Sequence, residues 1–132
     1  MLPNVITLSI DEENNSTPVD HDLSRAEEGS NKSVYYDEDH TVASRSTMSV
    51  LRTFPKQSGN FYGTLKTTVK FTKDVEVVGV NGETIKVPSI AECNFSFPVG
   101  VNNAHATLMR QSCIAILDDD SVMDLLHDQG II

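Results

Sequence analysis

At 132 residues the chain fits one domain able to bury about two-thirds of its unfolded surface, and 39% hydrophobic with 22% charged residues rules out wholesale disorder. A formal net charge of −9 argues against nonspecific nucleic-acid binding by the molecule as a whole, and no apolar run approaches the ~20 residues that span a bilayer. Two cysteines, Cys93 and Cys113, are too few for a disulfide scaffold and match no zinc spacing, and Met1-Leu2-Pro3-Asn4 carries no basic region of a signal peptide, so a soluble intracellular protein is expected.

Asn4 to Ile10 is β-rich and partly alternating, which predicts a strand, and Asp11 to Thr17 is turn-like. Pro18 to Leu23 is a short second strand, and the polar run Ser24 to Ser33 reads as a loop. Val34-Tyr35-Tyr36 marks a third strand. Met48 to Phe54 is a fourth, stopped by Pro55 and followed by turn chemistry over Lys56 to Asn60. Phe61 to Lys73 is a long Thr- and Val-rich strand, continued or restarted by Val75 to Val80. Asn81-Gly82 is a strong hairpin signal, with Thr84 to Val99 returning.

From Asn103 to Asp118 there is neither Gly nor Pro, and Ala106, Met109, Cys113 and Ile116 recur at helical spacing, flanked by Leu108, Ile114 and Leu117. Asn102 or Asn103 caps this helix, and three like charges, Asp118-Asp119-Asp120, end it. Ser121 or Asp120 caps a short second helix with Val122, Leu125 and Leu126 on one face and Gly130 beyond its end. The architecture is five to seven antiparallel strands followed by two helices.

Charge is distributed unevenly. Residues 1–44 hold ten acids and two bases, residues 45–117 eight bases and four acids, and residues 118–132 five acids and no base. The basic middle is able to present a local polyanion site if the fold turns the acidic parts elsewhere. In the long strands, Thr64, Lys66, Thr68, Lys70 and Thr72 share one side, with Leu65, Thr67, Val69 and Phe71 on the other. In the returning strand Ala91, Cys93, Phe95 and Phe97 lie opposite Ile90, Glu92, Asn94 and Ser96. Each strand thus has an apolar and a polar face. The Lys–Thr–Lys alternation suits phosphates and base edges, although a wet sheet surface has the same pattern.

Catalytic chemistry is thin. His21-Asp22 and Asp39-His40 sit in acidic sequence with no nucleophile motif beside them. His105 and His127 have no metal-ligand spacing, and Asp118–Asp120 lacks the spaced oxygens and central glycine of a calcium loop. Cys93 alternates with Phe95 and Phe97, and Cys113 lies on the helical stripe, so both are expected to be buried and inert.

In order and spacing, these pieces resemble the coat proteins of single-stranded RNA bacteriophages of the levivirus type. The resemblance rests on the Thr47-Met48-Ser49-Val50 strand, the turn after Pro55, Leu65-Lys66-Thr67-Thr68-Val69-Lys70-Phe71, the Val80-Asn81-Gly82-Glu83 tip and Asn94-Phe95-Ser96-Phe97-Pro98. It extends through the Asn-started helix, the acidic break and the second helix to Gly130-Ile131-Ile132. It implies an α+β fold of one domain, with an N-terminal β-hairpin and loop (1–31), a five-stranded antiparallel sheet (32–99) and two C-terminal helices (102–130). It further implies an intertwined homodimer, built into an icosahedral shell commonly of T=3 design. The virion would assemble in the bacterial host cytoplasm, with no enzymatic activity and no membrane partner.

By position, the resemblance places genomic RNA on Thr47, Ser49, Thr64, Lys66, Thr68, Lys70, Glu92 and Asn94. It places the dimer contact on Met109, Cys113, Ile116, Phe95 and Phe97. Many such proteins also repress translation by binding an operator hairpin. Ile90 here occupies the position where relatives often place an RNA-stacking tyrosine, and an aliphatic side chain does not stack in that way. No cofactor is expected, apart from calcium at subunit contacts made by the acids of 37–39 and 118–120. The competing reading is a soluble dimeric β-sheet module that binds RNA or protein.

Overall fold

The computed structural model describes residues 2–129, so Gly130-Ile131-Ile132, together with Met1, lie outside the described residues. Six strands run β1 Val5–Ile10, β2 Val19–Glu28, β3 Lys32–Tyr36, β4 Ser46–Thr53, β5 Thr64–Val78 and β6 Thr84–Pro98. Two helices follow, α1 Asn103–Leu117 and α2 Asp120–Gln129. All six strands form one antiparallel meander in sequence order. The N-terminal hairpin is therefore continuous with the sheet rather than separate from a five-stranded one, because β2 pairs with β3 across a bulge between Arg25 and Glu27.

The stretch Ser24 to Ser33 departs most from its sequence pattern. Ser24–Glu28 extends β2, and Lys32 and Ser33 open β3, leaving a tight turn in which Gly29 N–H donates to Lys32 O at 2.7 Å. Its charges are accommodated on the strand, with Arg25 reaching Glu28 at 2.8 Å and the Leu2 carbonyl at 2.9 Å. Pairing on both sides outweighs a weak intrinsic β preference.

β5 and β6 are paired along their whole length, from Thr64↔Pro98 to Val78↔Thr84. The loop between them closes through Gly79 N–H to Glu83 O at 2.7 Å. Gly82, at φ 82°, supplies the left-handed residue that the Asn-Gly signal anticipates. Pairing with β4 ends at Ser46↔Lys73, so beyond that point β5 and β6 continue as a two-stranded arm. The arm is pinned at its base by Asp74, whose carboxylate accepts from the Arg45 backbone N–H at 2.9 Å and faces its guanidinium at 3.3 Å. These interactions, the backbone bond foremost, hold the Asp74 carboxyl below its ordinary value. At the other end of β5, Gly63 (φ 100°) is buried, and a Cβ there would sit 2.5 Å from the Lys56 backbone nitrogen.

The core is small. Leu23, Tyr35 and Met48 are buried, with Leu2, Ile6, Leu8, Val50 and Val69 packed around them. Alternation places these on one face of the sheet, over which the N-terminal segment folds. Tyr35 Oη donates to Pro3 O at 2.6 Å, which satisfies the one polar atom of that ring.

α1 begins where the sequence places it: the Asn102 side chain accepts from His105 N–H at 2.8 Å. The second cap differs. Asp119, not Asp120 or Ser121, caps α2, its carboxylate accepting from the Ser121 hydroxyl at 2.6 Å and the Ser121 N–H at 3.1 Å. Those bonds hold Asp119 below the ordinary carboxylate value. The helices touch each other, and only the start of α1 comes near the chain's own sheet, at Phe95 and Phe97. No residue of α1 is buried. Cys113 is consequently exposed and Cys93 only half-buried, against the expectation that both are covered. From Met109 onward, the stripe carrying Cys113 is exposed.

Two outcomes follow from the caps. Asn102→Ala should lower stability by about 1 kcal/mol in urea unfolding at fixed protein concentration, while Asn102→Ser should cost far less. A carboxyl held below its unfolded value of 3.8 stabilises fully above that pH and stops doing so as pH falls through the lower folded value. Helicity measured by circular dichroism should therefore stay flat from neutrality down to about pH 4 and then fall, and Asp119→Asn should remove part of that acid-dependent loss.

Candidate nucleic-acid interface

The face of the sheet opposite the core is open. Strand register places every polar residue singled out in sequence on it, because directly paired residues in an antiparallel sheet share a side. Ser49 pairs with Lys70 and Lys70 with Glu92, Thr47 pairs with Thr72, and Thr68 pairs with Asn94. Lys66 and Thr64 continue the same side of β5 by alternation. Lys66 and Lys70, four apart on one strand, are separated by roughly 13 Å.

Register adds two residues that the sequence pattern does not reveal. Lys32 on β3 pairs with Leu51, which pairs with Thr68. These three, with Ser49, Lys70 and Glu92, line one shallow depression. Among the described residues Lys32, Lys66 and Lys70 form no ion pair, whereas Arg25, Arg45 and Lys73 each face a carboxylate. On the same face, Asp20 and Asp22 lie at the β1–β2 end, where Thr7 Oγ1 donates to Asp22 at 2.6 Å. The face thus carries Lys32, Lys66 and Lys70 against Glu92 over the body of β3–β6 and is anionic over β1–β2.

Polar side chains within the cationic half are ordered. The Thr68 hydroxyl donates to Asn94 Oδ1 at 2.7 Å, and Asn94 Nδ2 donates to Glu92 Oε1 at 3.0 Å. Ile90, half exposed, pairs with Thr72 and so falls in one cross-strand row with Thr47 and Tyr36.

The residues assigned to a dimer contact lie elsewhere. Phe95 and Phe97 sit on the core-side face of β6, their rings 6.0 Å apart, beneath the first turns of α1 around Asn103 and Ala106. Met109 and Ile116 are 45% and 47% exposed farther along α1. The sheet and helix groups are therefore separated within one chain, each leaving apolar surface open.

The histidine pairs are accounted for locally. His21 contacts the Glu12 carboxylate, and His40 Nδ1 accepts from Ser46 N–H at 3.1 Å while its ring stacks on Tyr36 at 3.9 Å. Asp39 faces Lys73 and Asp37 accepts from the Ser46 hydroxyl. Among the described residues no three acidic, cysteine or histidine side chains converge as a metal site would require.

No family model and no curated protein matches the chain. Solved structures do. The virus-like particle of bacteriophage AVE019 is 24% identical, with a TM-score of 0.75 covering 96% of this chain and 95% of that one. The virus-like particle of Wenzhou levi-like virus 4 is 27% identical, with a TM-score of 0.64 over 76% of this chain and 68% of that one. The bacteriophage EMS014 coat protein is 14% identical, with a TM-score of 0.62 over 89% and 74%. The chain therefore has the RNA phage coat-protein fold, and the resemblance seen in the sequence holds in three dimensions.

Proposed function

We propose that this chain is the coat protein of a single-stranded RNA phage, a structural protein rather than an enzyme. It dimerises by laying α1 and α2 over the core-side face of a partner's β5 and β6, dimers close into an icosahedral shell, and the open face lines the interior and holds genomic RNA. The likeness to virus-like particles supports assembly into a capsid.

The observation that carries the dimer is the uncovered apolar surface. Leu108, Met109, Ile114, Ile116 and Leu117 on α1 are all at least 45% exposed, while Leu65, Val75, Val77 and Ile85 on the arm and sheet are more than a third exposed. Fully burying one such side chain gains about 1.5–3 kcal/mol, so leaving both surfaces wet is costly in a chain with so small a core. A two-fold arrangement covers both at once, each chain's helices on the other's sheet.

RNA binding is supported by the lysines without an ion pair, Lys32, Lys66 and Lys70, aligned with hydroxyls on a flat open surface. Two-fold symmetry doubles this set into one continuous field.

Expressed alone, the chain should form closed particles visible by negative-stain microscopy. Met109→Asp should abolish them, since it places an unpaired charge in the proposed contact. A variant that still forms intact dimers would remove Met109 from the interface. Wild-type protein that stays a soluble dimer at all concentrations would favour a binding module instead. Lys66→Ala with Lys70→Ala should leave dimers intact and reduce packaged RNA. It should also lower the slope of log affinity against log salt by about 0.7 for each phosphate that is no longer neutralised. Unchanged RNA content and slope would assign these lysines to solubility.

A further inference from the structure

Among the described residues Glu92 is the one carboxylate lining the depression with Lys32 and Lys70, and its side chain is held by hydrogen bonds. It lies directly across the β5–β6 pairing from Lys70, yet among the described residues the two form no ion pair. Glu92 Oε1 is engaged instead by Asn94 Nδ2, and Asn94 Oδ1 by the Thr68 hydroxyl. The two bonds orient each other. A hydroxyl donates to the amide oxygen and not to the NH₂, and an ionised carboxylate accepts from the NH₂ and not from the oxygen. Thr68 and Asn94 thereby hold the carboxylate in one orientation and leave its second oxygen, Oε2, with no partner among the described residues.

The depression is thus chemically two-sided. Lys32 and Lys70 offer cations, Ser49 and Thr68 hydroxyls, and Leu51, more than a third exposed amid polar neighbours, an apolar floor. A phosphate is repelled by Glu92 and drawn to the lysines. A base resting on Leu51 instead brings its edge toward a group that only accepts hydrogen bonds. Adenine and cytosine present an exocyclic amino group to such an acceptor. Uracil presents carbonyl oxygens flanking its single ring N–H, and a carboxylate repels those oxygens.

Building on the reading of this face as the RNA surface, we infer that Glu92 is a specificity-determining residue, selecting a base with an exocyclic amino group over uracil at the nucleotide held by Lys32 and Lys70. Thr68 and Asn94 act as its positioning residues.

The test uses the full chain as disassembled subunits and short labelled oligo(A), oligo(C) and oligo(U) at one fixed salt concentration, read by fluorescence anisotropy. Wild type should bind oligo(A) and oligo(C) about fivefold to tenfold more tightly than oligo(U), the low end for a single specific base contact. Glu92→Gln should raise affinity for all three by removing a phosphate-repelling charge, and should erase the preference because an amide presents a donor as well as an acceptor. Asn94→Ala, which keeps the charge and loses the hold on it, should narrow the preference for oligo(A) and oligo(C) over oligo(U). Equal wild-type binding of the three oligomers, with a uniform gain in Glu92→Gln, would make Glu92 a mere repeller of phosphate and overturn the inference. Wild-type-like binding and salt slope in Lys66→Ala with Lys70→Ala is a different failure: it would remove the RNA surface and the inference with it.

Discussion

One constraint governs this chain: it cannot cover its own apolar surface. Among the described residues Leu23, Tyr35 and Met48 and their half-buried neighbours form the core, while α1 has no buried residue at all. Native domains are stable by only about 5–15 kcal/mol, and each exposed leucine or isoleucine forgoes about 1.5–3 kcal/mol of that scale. A short connection, Val99 to Asn102, leads from β6 into α1, whose first turns lie along Phe95 and Phe97. The rest of the helix extends past its own sheet with its apolar stripe wet. On the proposed reading, folding, dimerisation and the first step of assembly are a single event.

The same period-2 alternation that creates the uncovered face creates its opposite. Along the middle of β4, β5 and β6, alternation turns Met48, Val50, Val69, Phe71 and Phe95 toward the core side and Thr47, Ser49, Thr68, Lys70 and Asn94 away from it. On the proposed reading one sheet serves two kinds of partner, with apolar helices on one side and a polyanion on the other. Acids concentrate on β1–β2, the loop after β3 and the α1–α2 junction, and bases on the strands between. An overall negative chain thereby keeps a cationic patch of modest strength. On the proposed reading such a patch would package RNA in a salt-dependent way rather than clamp it.

Much of this is legible in the sequence because the strongest signals are long. β5 and β6 announce themselves through many alternating residues and an Asn-Gly tip, and α1 through an uninterrupted helical period. What escapes has particular causes. Ser24–Glu28 is polar and charged, so only its pairing with β1 and β3 reveals it as strand. Lys32 lies inside a stretch with loop composition, which leaves its side of the sheet undefined until the register across β3 and β4 is known. Three consecutive aspartates do not disclose which one caps α2, since that depends on a backbone break one residue wide. Cys113 is exposed despite its place on the stripe because amphipathicity reports that a helix has an apolar face, not which chain covers it. The Thr68–Asn94–Glu92 chain joins two residues on one strand to a third across the pairing, and no local pattern encodes that meeting.

Coupling of folding to dimerisation is tested most directly by the concentration dependence of unfolding. Disassembled subunits would be unfolded in urea over several decades of protein concentration, with circular dichroism as the readout. Coupled folding predicts that apparent stability rises by about 1.4 kcal/mol for each tenfold increase in concentration, moving the urea midpoint steadily upward. A midpoint independent of concentration, with a cooperative transition persisting at the lowest concentrations, would mean that the single chain folds alone and would contradict the account.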